Sequence, residues 1–315
     1  MPTTSQRAYK AVFFDLDGTL LPVDMDTFLQ AYFKALGKYA AEHGQEPKQF
    51  TDALNKGVFA MIKEEGGRND ERFWQTFCSV LDIGESEMPA YEQLMEGFYN
   101  TAFDELGALI TPTPESAQVV NLLREKGYRL YLTTMPLFPR IAVEKRVQWA
   151  GCDPQAFERI TTYDNSTSTK PHLEYYRENV EAIGLKPEEI LMVGNNTRED
   201  LSAMQLGLDG YLVTDWLLNP DGFDIDSVKH GSMADFLKFV EGLPKCENAA
   251  DGEGMDATAN TVEADATDGE GVSTRENAAE SAGTDAAANA VEADAAESVE
   301  AETETETETT TGRDA

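Results

Sequence analysis

Two carboxylates two residues apart, Asp15 and Asp17, close an apolar run from Ala11 to Phe14 and precede a Gly18-Thr19 turn. Residues i and i+2 of an extended segment point the same way, so this spacing directs both acids to the carboxyl edge of a strand. Like charges so close do not both ionise comfortably unless a cation lies beside them or one keeps a proton. The pair therefore suits Mg²⁺ binding, acid–base work, or both. Three further groups sit at the ends of other candidate strands or in the loops after them. Leu130-Tyr131-Leu132 leads into Thr133 and Thr134, whose hydroxyls suit donation to a phosphoryl oxygen. Thr169-Lys170-Pro171 sets an ammonium in a loop, and Leu191-Met192-Val193-Gly194 leads into Asn195 and Asn196, with Asp200 just beyond.

The elements that must position these groups are legible as alternation. Strands are predicted at Arg129 to Thr133, Ile160 to Tyr163, Ile190 to Gly194 and Gly210 to Val213, besides the first at Ala11 to Phe14. Helices are predicted at Glu115 to Lys126, Pro139 to Ala150, Leu173 to Ile183, Glu199 to Leu206 and Met233 to Val240. Strand–helix alternation implies an α/β fold with a parallel, doubly wound sheet. Such sheets build their sites at the carboxyl ends of the strands, where the candidate residues lie. Between Asp24 and Gly107 the pattern is helical instead, with sets such as Phe28, Tyr32, Phe33 and Leu36 at helical spacing. Thr111-Pro112-Thr113-Pro114 then reads as a stiff hinge.

Charge narrows the field. The 315 residues carry a formal net charge of −33, and about 20 acidic against 2 basic residues lie beyond Cys246. That stretch is poor in large apolar side chains and contains a duplicated run and Thr-Glu alternation, so it is expected to be disordered. The acidic balance argues against nucleic acid or an anionic membrane as partner. Three scattered cysteines suggest reduced thiols. With no apolar leader or spanning segment, a soluble cytoplasmic protein is expected. The three histidines show no ligand spacing, and the oligomeric state is not encoded in any pattern found.

Taken together, the Asp15-x-Asp17-Gly-Thr19 run, Thr133, Lys170-Pro171 and Gly194-Asn195-Asn196-x-x-x-Asp200, in this order, resemble the haloacid dehalogenase-like hydrolases in their capped phosphatase branch. The resemblance implies a Rossmann-like core of residues 1–21 and 112–245, a helical cap at 22–111, and a tail at 246–315 outside both. It implies that Asp15 is the nucleophile and a Mg²⁺ ligand, and that Asp17 is general acid then base, with its backbone carbonyl on the metal. Thr133 and Lys170 would clamp the phosphoryl group, with Thr134 beside them. Asp17 favours a small phosphomonoester, because the dehalogenase branch lacks an acid there. Arg68 and Asn69, in the Gly66-Gly67 break, occupy a region where capped relatives specify substrate; a solvated loop is the plainer reading. One departure stands out: an amide, Asn196 or Asn195, replaces an acidic metal ligand before Asp200, which predicts weakened Mg²⁺ affinity. The same departure keeps open a catalytically weak or silent binding protein, and a phosphomutase is a third reading.

Overall fold

A computed structural model describes residues 8–84 and 86–246; the expected disorder of the acidic tail lies outside the described residues. Six strands, β1 (Ala11–Phe14), β2 (Arg129–Leu132), β3 (Arg159–Ile160), β4 (Ile190–Gly194), β5 (Asp209–Val213) and β6 (Lys229–Gly231), form one sheet in the order β3-β2-β1-β4-β5-β6. Every pairing is parallel. β1 lies between β2 and β4, and all four of its residues are buried, as an unbroken apolar run in a two-sided parallel sheet should be.

Side-chain alternation divides the core between the faces. Val12 and Phe14 join Leu130, Leu132, Leu191 and Val193 under α5 (Pro114–Glu125), α6 (Arg140–Trp149) and α8 (Met233–Gly242). Ala11, Phe13, Tyr131, Ile190 and Met192 pack instead on Tyr175 and Tyr176 of α7 (Leu173–Ile183) and on Ala203. Covered faces and parallel order give the doubly wound α/β architecture.

Two local expectations shift. The helix expected over Glu199–Leu206 is a 3₁₀ turn at Leu201–Leu206, and β3 is shorter and one residue earlier than its apolar run. β6 was not expected: it is a polar edge strand, Lys229-His230-Gly231, with no buried face to mark it.

The chain between β1 and α5 is helical: α1 (Met25–Glu42), α2 (Pro47–Lys63), α3 (Asn69–Leu81), α4 (Met88–Asn100) and a 3₁₀ segment, Ala102–Leu109. Asp24 caps α1 by accepting from the Thr27 amide at 2.9 Å. Phe28, Tyr32, Phe33, Leu36 and Ala40 form its buried stripe. Among the described residues, no helix is long and apolar enough to cross a membrane.

Candidate active site

Register assembles the site before any side chain is considered. Phe14 pairs with Leu132 on one side and Val193 on the other, so the residues following β1, β2 and β4 leave the sheet side by side. The Asp15 amide donates to Val193 O at 2.9 Å and the Thr133 amide to Phe14 O at 2.7 Å, carrying the alignment one step past the strands. Asp15, Thr133 and the Asn195–Asn196 turn therefore share one edge.

Lys170 reaches this edge from the loop before α7. Its Nζ donates to Asp15 Oδ1 and to Asp200 Oδ1, each at 2.7 Å, and the side chain is 1% exposed. Burial alone would pull the ammonium down, but Asp15 and Asp200 outweigh it and hold Lys170 protonated. The other Asp15 oxygen accepts from Thr19 Oγ1 at 2.9 Å, which also lies 3.2 Å from Asn195 Oδ1. Close approach explains two glycines: a Cβ at Gly18 would lie 2.3 Å from Asn195 Nδ2, and one at Gly194 would lie 2.1 Å from Asp200 Oδ2. Gly18 also has φ +79°, which only glycine adopts without strain.

Asp17 is held apart from this group by Arg146 of α6, whose Nη1 donates to Asp17 Oδ2 at 2.5 Å. Arg146 is buried, and its guanidinium lies 4.4 Å from the centre of the Phe138 ring. Burial pushes the Asp17 carboxyl up while Arg146 pulls it back down. Asp17 Oδ1 and Arg146 Nη2 are buried without a hydrogen-bond partner, as are the hydroxyls of Thr134 and Thr169. Unsatisfied polar atoms at this density mark a place where a polar ligand belongs. Thr133 Oγ1 is turned to Phe14 O at 3.3 Å.

The remaining sequence candidates are placed unequally. Asn196 Oδ1 accepts from the Arg198 and Glu199 amides at 3.0 and 3.1 Å, so it caps the turn leading to Asp200. Asn195 is the amide nearer Asp15, reached through Thr19, and its Nδ2 donates to Trp216 O at 2.6 Å. Arg68 is exposed and engaged with Asp70 and Glu71, not with the strand ends. Asn69 does not lie in a solvated loop. It is fully buried at the start of α3, where its amide donates to Ser166 O, and its Nδ2 to Pro136 O and Ser168 O.

Sequence reading missed several participants. Arg146 gave no signal because a single arginine in an amphipathic helix reads as surface. Tyr175 and Tyr176 were visible only as a motif feature; their hydroxyls donate to Thr134 O at 2.7 Å and Glu199 O at 2.9 Å, bracing both loops. Glu199 is the fourth acid of the neighbourhood, pushed up to about 8 by burial and by Asp200. Burial likewise raises Asp200, against the pull of Lys170.

The donor set suits a hard cation. Asp15, Asp17, Glu199 and Asp200 gather beside Lys170, Arg146 and Arg198, and burial, more than mutual repulsion, raises Asp17, Glu199 and Asp200. All donors are oxygens. Among the described residues no three His, Cys, Asp or Glu side chains form a cage for a metal. Mg²⁺ does not need one, since it keeps waters and uses one or two carboxylates with substrate oxygens.

An open parallel sheet whose strand ends gather a buried lysine and paired carboxylates defines an α/β enzyme of the doubly wound class. Within that class the chain belongs to the haloacid dehalogenase-like hydrolase family, whose sequence profile matches residues 9–206. Glyceraldehyde 3-phosphate phosphatase of Methanothermobacter thermautotrophicus is 29% identical over 205 residues, covering 65% of this chain and 85% of its own. Pyrophosphatase PpaX of Bacillus cereus is 25% identical over 237 residues, covering 75% and 96%. A solved HAD phosphatase from Thermococcus onnurineus aligns with 75% of this chain and 99% of its own, at 18% identity and a TM-score of 0.46.

Proposed function

We propose that the protein is a Mg²⁺-dependent phosphatase of a small phosphomonoester, working through an aspartyl-phosphate on Asp15. The observation that carries this reading is the bridge from Lys170 Nζ to Asp15 and Asp200, set beside a separately held second acid, Asp17. The phosphatase names of the two sequence relatives support it. In the first step an Asp15 carboxylate oxygen attacks phosphorus and the ester P–O bond breaks. Asp17 gives its proton to the departing alkoxide. In the second step a water attacks the acyl phosphate, the ionised Asp17 takes its proton, and Asp15 is regenerated as inorganic phosphate leaves. Lys170 and the Thr133 hydroxyl offset charge on the phosphoryl oxygens. Asp15, the Asp17 carbonyl, Asp200 and an amide oxygen of Asn195 or Asn196 would hold Mg²⁺, which neutralises the charge between carboxylate and phosphate. Residues 22–111 act as a cap over a core of 1–21 and 112–245, excluding water from the reacting atoms.

The engagement of both amides in protein hydrogen bonds favours a second reading, a weakly catalytic or silent binding protein. One assay separates them: phosphate release from p-nitrophenyl phosphate with and without Mg²⁺, beside Asp15→Asn. Release that needs Mg²⁺ and vanishes in Asp15→Asn is the expected outcome; release that survives in the variant removes the aspartyl-phosphate. No release from the parent protein on any ester leaves the binding reading.

A further inference from the structure

We propose that the outer edge of the sheet carries a separate binding site, which takes a small molecule by an oxyanion, the shared chemistry of phosphoryl and carboxylate groups. β3 is the edge strand, and β2 separates it from β1 and the residues that follow β1. Arg159 of β3 lies opposite Tyr131 of β2 in register. Both line a cavity of about 340 Å³, together with Arg129, Arg140, Glu158 and Asn165. Asp15, Asp17, Lys170 and Asp200 take no part in its lining. Small-molecule sites span about 300–1,000 Å³, so the space suits a small metabolite.

Charge in the cavity is unevenly matched. Arg129 is fully engaged: Nε and Nη2 meet Glu158, and Nη1 donates to Ile183 O at 3.3 Å. Burial would raise Glu158, but Arg129 and the Tyr131 hydroxyl hold it below the usual carboxylate range, so this pair neutralises itself. Arg140, which opens α6, pairs through Nε with Glu144 at 2.7 Å. Its Nη1 and Nη2 have no acceptor among the described residues. Arg159 differs from both. Its Nε donates to Asn179 Oδ1 at 3.0 Å and its Nη2 to Asn165 O at 2.8 Å, and both acceptors are neutral. Among the described residues Nη1 has no acceptor and no ion pair neutralises the group. Glu178 of α7 feels its charge, but that carboxylate accepts instead from the Thr167 amide and hydroxyl at 3.1 and 2.6 Å. A guanidinium held in one plane by neutral acceptors has given up water without gaining a counter-charge. Its planar fork fits an oxyanion, and the open Arg140 edge supplies a further grip. In a chain of net charge −33, an unmatched cation in a cavity is no by-product of a basic surface.

Inorganic phosphate and malonate, titrated calorimetrically into the full chain without Mg²⁺ at constant ionic strength, test the site. Binding is expected, and Arg159→Gln is expected to weaken it about tenfold or more, the loss of one charge-assisted pair. Arg140→Gln is expected to weaken it about threefold, as for an exposed charge. The Arg140 side chain is exposed and holds only Glu144, so this variant reads the site even where Arg159→Gln fails to fold. Binding of phosphate alone assigns a phosphoryl ligand, of malonate alone a carboxylate ligand, and of both a site that reads only the oxyanion. Asp15→Asn separates the cavity from the strand ends. An anion in the cavity is indifferent to it, whereas one beside Asp15 binds more tightly once that like charge is gone. Three results overturn the proposal: neither anion binds, binding tightens in Asp15→Asn, or binding is unmoved in Arg159→Gln (in Arg140→Gln where the former does not fold).

Discussion

Among single residues, Arg146 carries the most unexpected consequence. It is a buried cation paired with Asp17, the acid proposed to protonate the leaving group, so on that proposal it both stabilises the site and tunes it. Burial raises Asp17 and Arg146 lowers it; without Arg146 the carboxyl rises further. The alkaline limb of kcat/KM reports the acid of the free enzyme, so Arg146→Met is expected to move that limb to higher pH. Breaking a buried pair costs about 3–5 kcal/mol, and Asp17→Asn in the same chain should return most of it, because no unpaired charge remains. A limb that stays put, or a double variant no more stable than Arg146→Met, sinks this account. The amides give a second test. Asn195 faces Asp15 through Thr19, whereas Asn196 caps a turn. A carboxylate at either position would add negative charge beside the proposed Mg²⁺, worth a few kcal/mol at about 4 Å and an effective dielectric near 20, before solvent screening. Both Asn195→Asp and Asn196→Asp are expected to tighten Mg²⁺ binding, with Asn195→Asp the larger effect. Calorimetric affinities that are unchanged in both variants rule this out.

Between elements, the helical segment is fastened to the core where sequence alone suggested a solvated break. Arg72 Nη1 donates to Gly66 O and Gly67 O at 2.8 and 2.9 Å, and Nη2 to Thr167 O at 3.1 Å and to Asn69 Oδ1. Asn69 in turn holds Pro136 O and Ser168 O. These carbonyls belong to the loops that carry Thr133–Thr134 and Lys170, so the junction positions both. Arg72→Met strips a buried charge and leaves carbonyls unpaired, at about 3 kcal/mol or more; melting should fall by roughly 6–12 °C. Misplacing Lys170 by an ångström is worth about 100-fold in rate, so kcat should fall with it. Asn69→Ala should not add to Arg72→Met, because the two share one network; additive losses in melting temperature argue against a single junction. This is also where sequence reading reached its limit. β1, β2 and β4 were legible because their burial is written as apolar runs ending in reactive residues. β6 was not, since an exposed edge strand has no apolar code. Asn69 and Arg72 look like surface residues beside Gly66-Gly67, and only tertiary carbonyls make them internal. Arg146 is the same case within the site.

For the molecule as a whole, the question is where the folded unit is sealed. Lys126, just past α5, donates from Nζ to the carbonyls of Val240, Glu241 and Leu243 at 2.8, 2.7 and 2.5 Å. The Tyr128 hydroxyl donates to Pro244 O at 2.9 Å, and the Cys246 amide returns to Lys126 O at 2.8 Å. Leu243 and Cys246 are buried against the same core cluster as β1. These contacts close α8 onto α5, behind the strand whose far end carries Asp15, and every one is complete by residue 246. A chain ending at Cys246 is therefore expected to keep the full-length melting temperature within about 2 °C, and its phosphatase turnover unchanged. A chain ending at Gly242 loses the Leu243 side chain, worth about 1.5–3 kcal/mol, and at least three hydrogen bonds at about 1 kcal/mol each. Against a total stability of about 5–15 kcal/mol, that loss should melt the core well below the parent and take activity with it. Equal melting of the two shortened chains would show that the seal lies inside residue 242. Loss already at 246 would show that residues 247–315 contribute to the fold.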